Sequence, residues 1–197
     1  MTKDPQRWNH NLHYHSVVLE KLPQPCRRVL DVGCGEGMLL RDLAAPGRRI
    51  TGIDSDASSI ALARQHDLDA EYVCADFLAH PFDDGAFDAV VSVAALHHME
   101  AETALHRMSD LLRPGGSLIV IGCARSEMPR DIPYELAAVV ANKWISRSRT
   151  HWQHSAPTSW PPRQTYRDMR RIAVRTLPGS KFRRHLLWRY SICWTKP

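Results

Sequence analysis

Short apolar runs alternate with stretches of helical periodicity over the first 122 residues. Arg28-Val-Leu-Asp-Val32 predicts a strand that ends in glycines. Gly37 to Ala45, with Met38, Leu39, Leu40 and Leu43, predicts a helix stopped by Pro46-Gly47. A second strand is predicted over Arg49 to Ile53, after which Asp56 caps a helix containing Ile60, Ala61 and Leu62. Third and fourth strands are predicted over Ala70 to Cys74 and Phe87 to Val93. Glu100 to Leu112 predicts a helix ended by Arg113-Pro-Gly-Gly116, before a fifth strand over Ser117 to Ile121. Strand–helix alternation with nearly continuous apolar strands predicts a parallel sheet covered on both faces. Such sheets bind ligands at the carboxyl ends of their strands, so candidate residues are sought just after each strand.

After Gly122 the pattern changes. Asp131 to Ile145 predicts an amphipathic helix with Leu136, Val139, Val140 and Trp144 on its apolar face. Ser146 to Pro162 is polar, holds Trp152, Trp160, Pro157, Pro161 and Pro162, and reads as loop or lid. Ile172 to Leu177 and Leu186 to Trp194, separated by Pro178-Gly179, predict two closing strands in an antiparallel hairpin.

Composition narrows the class. The 197 residues suffice for one well-buried core, and 44% hydrophobic with 24% charged residues is ordinary globular usage rather than disorder. The net charge of +5 hides a split: residues 1–123 carry 11 Lys/Arg against 17 Asp/Glu, residues 124–197 carry 15 against 4. Five of the six Trp lie in that basic part, which raises a nucleic-acid surface as a question. No apolar run approaches the roughly 20 residues of a membrane helix, and the polar start Met1-Thr-Lys-Asp-Pro lacks a signal-peptide core. Cys26, Cys34, Cys74, Cys123 and Cys193 are odd in number and form no C-x-x-C. That spacing argues against a disulfide framework or zinc site and suits a reducing cytoplasm.

The chemistry concentrates in Val29-Leu-Asp-Val-Gly-Cys-Gly-Glu-Gly37. Glycines at 33, 35 and 37 allow a sharp turn and close approach to a ligand. The spacing lacks the last glycine of the dinucleotide fingerprint G-x-G-x-x-G, and Asp31 suits a cationic amino group better than a pyrophosphate. A dinucleotide oxidoreductase is therefore disfavoured. Asp54 ends the second strand, where a carboxylate can accept both hydroxyls of a ribose. Asp76-Phe77 follows the third, offering an acceptor for an exocyclic amine and a ring for a base face. Any one strand-end Asp is as readily a helix cap or turn former. Three of them, 23 and 22 residues apart, beside a glycine loop make a common site.

In combination these residues resemble the class I S-adenosylmethionine-dependent methyltransferases, over roughly residues 27–122. The glycine loop resembles the family's first motif, implying that Asp31, Gly33, Cys34, Gly35 and Gly37 surround the methionine part of the cofactor. Gly52-Ile-Asp-Ser55 resembles the second, implying ribose binding by Asp54 with Ser55 beside it. Cys74-Ala-Asp-Phe77 resembles the third, implying adenine recognition by Asp76 and Phe77. Phe87 to Met99 resembles the fourth, implying that Val93 and Ala94 approach the cofactor. Leu111-Leu-Arg-Pro-Gly-Gly-Ser-Leu118 is similar to the turn before the fifth strand. The nearest likeness is to the small-molecule branch that includes ubiquinone and menaquinone biosynthesis enzymes. An Asn-Pro-Pro-Tyr-like sequence is absent; Ala94-Ala-Leu-His-His98 stands there instead, which lowers the odds for an N6-adenine or glutamine methylase.

The resemblance implies an α/β three-layer sandwich: a mainly parallel seven-stranded sheet with an antiparallel last strand and a small cap between strands five and six. Within one domain, 1–26 would be a helical lid, 27–123 the cofactor core, 124–170 the cap and 171–197 the closing strands.

His97 and His98 are candidates for a general base, or else shape the pocket floor without proton transfer. Orientation alone accelerates methyl transfer, so a base is not obligatory. Trp8-Asn-His-Asn-Leu-His-Tyr-His15 reads as a lid with Tyr14 or His15 near the cofactor carboxylate, or as an ordinary first helix. No metal is expected, since His10, His13 and His15 lack a carboxylate or Cys partner. Cys34 reads as steric, because the loop demands small residues. The basic third is open to three readings: solvated or internally paired charge, a wall for an anionic or aromatic small-molecule acceptor, or an RNA surface. The expected activity is methyl transfer by direct displacement to O, N or C of a small molecule. RNA methylation and cofactor binding without catalysis are the alternatives.

Overall fold

Strand β1 (Arg28–Val32) is central, because Val29 and Leu30 both bury completely on opposite faces of the sheet. Parallel neighbours flank it: β2 (Arg49–Asp54) with β3 (Glu71–Cys74) beyond on one side, and β4 (Phe87–Val93) with β5 (Leu112–Gly122) on the other. Two further strands, β6 (Lys181–Arg184) and β7 (Tyr190–Thr195), complete the sheet in the order β3-β2-β1-β4-β5-β7-β6. β7 runs antiparallel to both of its neighbours, so it alone opposes the other strands. The expected seven-stranded, mainly parallel sheet with an antiparallel last strand is the observed one. This computed structural model describes residues 7–65, 68–147, 150–151 and 161–197.

Helices α1 (His15–Glu20), α2 (Met38–Leu43) and α3 (Ala57–Arg64) cover one face, where Val29, Val91 and Ile119 point. Helices α4 (Ala101–Asp110) and α6 (Tyr166–Thr176) cover the other, over Leu30, Val90 and Leu118. Asp56 caps α3 by accepting from the amides of Ser58 and Ser59, and Glu100 caps α4 in the same manner.

Three expectations are corrected. The fifth strand starts at Leu112 rather than Ser117, because Gly115 N donates to Lys196 O and Lys196 N to Gly116 O. The segment expected as a strand over Ile172–Leu177 belongs to α6, opened by a capping box between Thr165 and Asp168. The closing hairpin is instead Lys181–Arg184 with Tyr190–Thr195, and α6 packs against α4 rather than ending the cap.

The third correction concerns α5 (Ile132–Ser146), in the connection between β5 and β6. Its expected apolar face points outward: Leu136, Val139, Val140 and Trp144 are exposed. Inward it turns Ala138, Ala141 and Ile145, with polar anchors beside them. Glu135 accepts from Trp188 Nε1 at 2.7 Å and from Ser126 Oγ, and Asn142 Oδ1 lies 3.0 Å from His10 Nε2. The N-terminal segment is helical only in part. Arg7–Trp8 pairs in parallel with Thr150–His151, and a short turn at Leu12–Tyr14 leads into α1.

Candidate functional site

A cavity of about 550 Å³ opens at the carboxyl ends of β1 to β4, well inside the size range of small-molecule sites. From β1 and its loop come Asp31, Gly33, Cys34 and Gly35; from the end of β2 and the turn beyond it, Asp54 and Ser55. Asp76 and Phe77 follow β3, while Val93 ends β4 and Ala94 follows it. His15, Asn9 and Asn11 of the N-terminal segment and His98 close the wall. The topology thus brings residues far apart in sequence to one edge of the sheet.

Asp31 is 1% exposed and its Oδ1 has no hydrogen-bond partner. Burial, and secondarily the Asp54 carboxylate, pushes its carboxyl up to about 8. An orphaned acceptor of this kind costs free energy unless a donor reaches it.

The glycine loop folds back on β2. Gly33 N and Cys34 N both donate to Ile53 O, at 2.8 and 3.1 Å. Gly35 N donates to Asp54 Oδ2 at 2.8 Å, and Asp56 N donates to Asp54 Oδ1 at 2.9 Å. Asp54 therefore braces the loop while each of its oxygens keeps further accepting capacity. Gly33 has φ +75°, and a Cβ there would stand 2.1 Å from Ala95 Cβ, so the segment after β4 lies directly on the loop. Cys34 packs onto Gly52, where an added Cβ would meet its Sγ at 2.8 Å. Burial, with the nearby Asp31 and Asp54 carboxylates, pushes the Cys34 thiol up. It is a protonated packing residue. Gly37 lies off the cavity wall as the N-cap of α2, with φ +74°.

Asp76 Oδ1 accepts from Leu78 N at 2.8 Å, and its side chain is otherwise open to the cavity mouth. Phe77 is 5% exposed and belongs to the core as well as to the cavity. His15 Nδ1 lies 2.8 Å from Asp42 Oδ2. Tyr14, expected near the cofactor carboxylate, is elsewhere: its hydroxyl donates to Leu186 O at 2.5 Å, off the cavity wall. Burial pushes that hydroxyl up to about 12.

The two candidate bases part company. His98 lines the cavity, whereas His97 does not, although their ring centroids lie 4.1 Å apart at a 39° tilt. His97 Nδ1 is buried without a partner. Burial first, then His98 and Arg189, hold its imidazole down at about 4, so it is neutral at working pH. Trp144, on the outward face of α5, is 75% exposed and lies off the cavity wall. Trp152 and Trp160 lie outside the described residues.

Asn9, Asn11 and Ala95 escaped sequence reasoning, as did Arg189, which donates to Asn11. Asn9 Oδ1 accepts from Asn11 N and Leu12 N and shapes the turn below them, a role carried by no motif. Ala95 lies within the Ala94 to His98 run, but only its contact with Gly33 reveals it.

Residues 30–120 match the methyltransferase domain family. An uncharacterized methyltransferase of Mycobacterium tuberculosis is 37% identical over 195 residues, 98% of either chain. A ubiquinone biosynthesis O-methyltransferase of Chromobacterium violaceum is 30% identical over 162 residues, 78% of this chain and 67% of its own. Among solved structures, CalS10, an amino pentose methyltransferase of Micromonospora echinaspora with S-adenosylmethionine bound, superposes with a TM-score of 0.52 at 25% identity. That match spans 60% of this chain and 52% of the other. A Haemonchus contortus phosphoethanolamine N-methyltransferase, solved with S-adenosylhomocysteine, gives a TM-score of 0.60 over 89% of this chain and 38% of its own. At 21% identity that likeness is one of fold.

Proposed function

We infer, because this chain belongs to the methyltransferase-domain family, that it takes methyl from S-adenosylmethionine and delivers it to a small-molecule acceptor. The observation that carries the cofactor reading is Asp31: a buried carboxyl with an unpartnered oxygen, facing a cavity beside a glycine loop. A cationic amino group is the donor that such an acceptor calls for. Asp54 has lone pairs for ribose hydroxyls, Asp76 an oxygen for an exocyclic amine, and Phe77 a ring edge for a base. The residues present fit the group. When bound, S-adenosylmethionine supplies a sulfonium methyl that an acceptor atom takes by direct displacement. His97, neutral and weakly basic, suits hydrogen bonding and orientation better than proton removal.

The fate of the basic residues supports a small acceptor over RNA. Arg184 pairs with Asp131 at 2.6 Å between the rings of Tyr134 and Tyr166. Arg175 pairs with Glu102, and Lys196 donates to the carbonyls of Ser109 and Asp110. Arg175 and Lys196 thus tie the C-terminal third to the core and Arg184 is neutralised within it, so these three are not free for a phosphate track.

Calorimetric titration tests the cofactor reading. S-adenosylmethionine and S-adenosylhomocysteine should bind, NAD should not, and Asp31→Asn should weaken S-adenosylmethionine at least about tenfold. Because a carboxylate at Asp31 must shed a proton to hold a cation, affinity should rise with pH up to about 8 in the native protein and not in the variant. Failure of both sulfur ligands to bind rejects the reading. Labelled methyl should enter a small-metabolite fraction; label in total RNA instead rejects the acceptor class.

A further inference from the structure

The outer side of α5 plays no part in the cofactor reading. Seven of the ten exposed large hydrophobic side chains among the described residues fall between Met128 and Trp144, so they form a patch rather than scattered surface positions. Ile132, Leu136, Val140 and Trp144 recur every four residues and make one row along the helix, with Val139 in the row beside it. At about 1.5 Å per residue that row runs roughly 18 Å. The inner side of the helix is already occupied, since Ala138 is buried and Ala141 and Ile145 pack against the core.

Charge is sorted between the two sides. The acids of the helix and its N-cap, Asp131 and Glu135, face the body: Arg184 Nη1 donates to Asp131 Oδ1 at 2.6 Å, and Trp188 Nε1 donates to Glu135 Oε2 at 2.7 Å. Lys143 and Arg147, one and two turns beyond Val139, are exposed. Among the described residues no carboxylate pairs with either. Arg130, just ahead of the helix, is exposed as well. The outward arc therefore carries large apolar side chains, a Trp and cations, and no acid. That combination is complementary to the boundary of an anionic bilayer, where apolar side chains enter the acyl region, Trp sits at headgroup level and Lys or Arg meets lipid phosphate. It suits a second copy of the chain poorly. Laid parallel, Lys143 and Arg147 would face themselves; laid antiparallel, they would approach Arg130.

We propose that α5 docks this chain on an anionic phospholipid surface, with Ile132, Leu136, Val140 and Trp144 inserted and Lys143 and Arg147 on the headgroups. With 15 residues α5 is shorter than the roughly 20 of a spanning helix, and its inner side holds the protein, so it lies along the surface. Asn142 joins it to His10 of the N-terminal segment, whose Asn9 and Asn11 wall the cavity, so that segment adjoins the docked helix. The assignment is independent of the methyltransferase reading above.

The full chain is sedimented with vesicles of phosphatidylcholine alone and with vesicles of phosphatidylcholine and phosphatidylglycerol in equal parts. It should bind the mixed vesicles at least about tenfold more tightly than the neutral ones, and the difference should shrink in high salt. Val140→Asp and Trp144→Ser should each weaken binding several-fold and leave the melting temperature unchanged. Lys143→Gln and Arg147→Gln should each weaken it roughly fivefold. Val174→Asp, at an exposed apolar position on α6, should leave it unchanged. Absence of binding to the mixed vesicles overturns the proposal, as does binding that survives both Val140→Asp and Trp144→Ser. Equal weakening by Val174→Asp overturns it as well, because the effect would then belong to added charge and not to this face. A lower melting temperature in both Val140→Asp and Trp144→Ser assigns the face to contacts within the chain and overturns it too. So does a dimer in sedimentation velocity that Val140→Asp disperses, which assigns the face to a second copy.

Discussion

Gly33 and Gly35 are two residues apart and are glycine for different reasons. At Gly35, φ is +52° and an added Cβ meets nothing within 4 Å, so only backbone conformation resists substitution. Gly33, at φ +75°, adds the 2.1 Å approach of Ala95 Cβ. Left-handed backbone costs an alanine roughly 1–2 kcal/mol, and a buried overlap adds about 1–3 kcal/mol. Gly35→Ala should therefore lose about 1–2 kcal/mol in urea denaturation, and Gly33→Ala about 2–5 kcal/mol. The second loss should be partly restored in the double variant Gly33→Ala/Ala95→Gly, which removes the opposing methyl and leaves the backbone strain. Equal losses at 33 and 35, or no recovery in the double variant, would show that contact with Ala95 does not set the position of the loop.

At the scale of elements, α5 shows its larger apolar side chains outward and packs inward with the smaller set Ala138, Ala141 and Ile145. Its apolar stripe of Leu136, Val139, Val140 and Trp144 is exposed, while Glu135 and Asn142 hold it to the body. Glu135→Ala strips Trp188 Nε1 and Ser126 Oγ of their acceptor and should cost about 1–3 kcal/mol. Val140→Ser, at 68% exposure, should change stability by less than about 0.5 kcal/mol. Thermal unfolding of the two variants decides it, and the reverse order would mean that α5 packs on its apolar side. Apolar periodicity predicted the helix and misjudged its orientation, because a stripe shows that a face is apolar and not which way it turns. The strands β1 to β4 and the Asp56 cap were legible because their signals are local. α6 was missed although Tyr166, Met169, Ala173 and Thr176 bury at helical spacing. The β-branched residues Ile172 and Val174 suggested a strand, and the capping box that decides the matter lies before them. Asp31, Asp54 and Asp76 were legible as a group because parallel topology sends every strand end to one edge. The bond from Arg189 to Asn11 spans 178 residues and leaves no local trace.

For the molecule as a whole, the buried groups of the site predict an unusual dependence of stability on pH. Asp31 keeps its proton up to about 8 in the folded chain and releases it near 4 when unfolded. The folded state binds the extra proton between those values, so Asp31 makes stability fall as pH rises from 4 to 8. His97, held down to about 4 by burial, and His185, also lowered chiefly by burial, act in the opposite sense. Unfolding lets them take up protons below about 6.5, so their contribution is lost as pH falls through that value. Between pH 4 and 6.5 Asp31 offsets part of the histidine contribution, and among these groups it alone acts from 6.5 to 8. The lowered carboxyls of Asp56, Glu100, Asp131 and Asp168 titrate below this window, and the raised thiols above it. Ligand-free protein should therefore lose stability between pH 6.5 and 8. Asp31→Asn should be flat there and should rise more steeply between pH 5 and 6.5, where the histidines are no longer offset. His97→Gln should do the converse, with a shallower rise below 6.5 and the native fall above it. Urea denaturation of the three proteins at half-unit intervals separates these curves. An Asp31→Asn profile parallel to that of the native chain from 6.5 to 8 would mean that Asp31 is ionised in the folded state. In that event the carboxyl would already be solvated or paired, and the main support for its role in holding a cationic ligand would be gone.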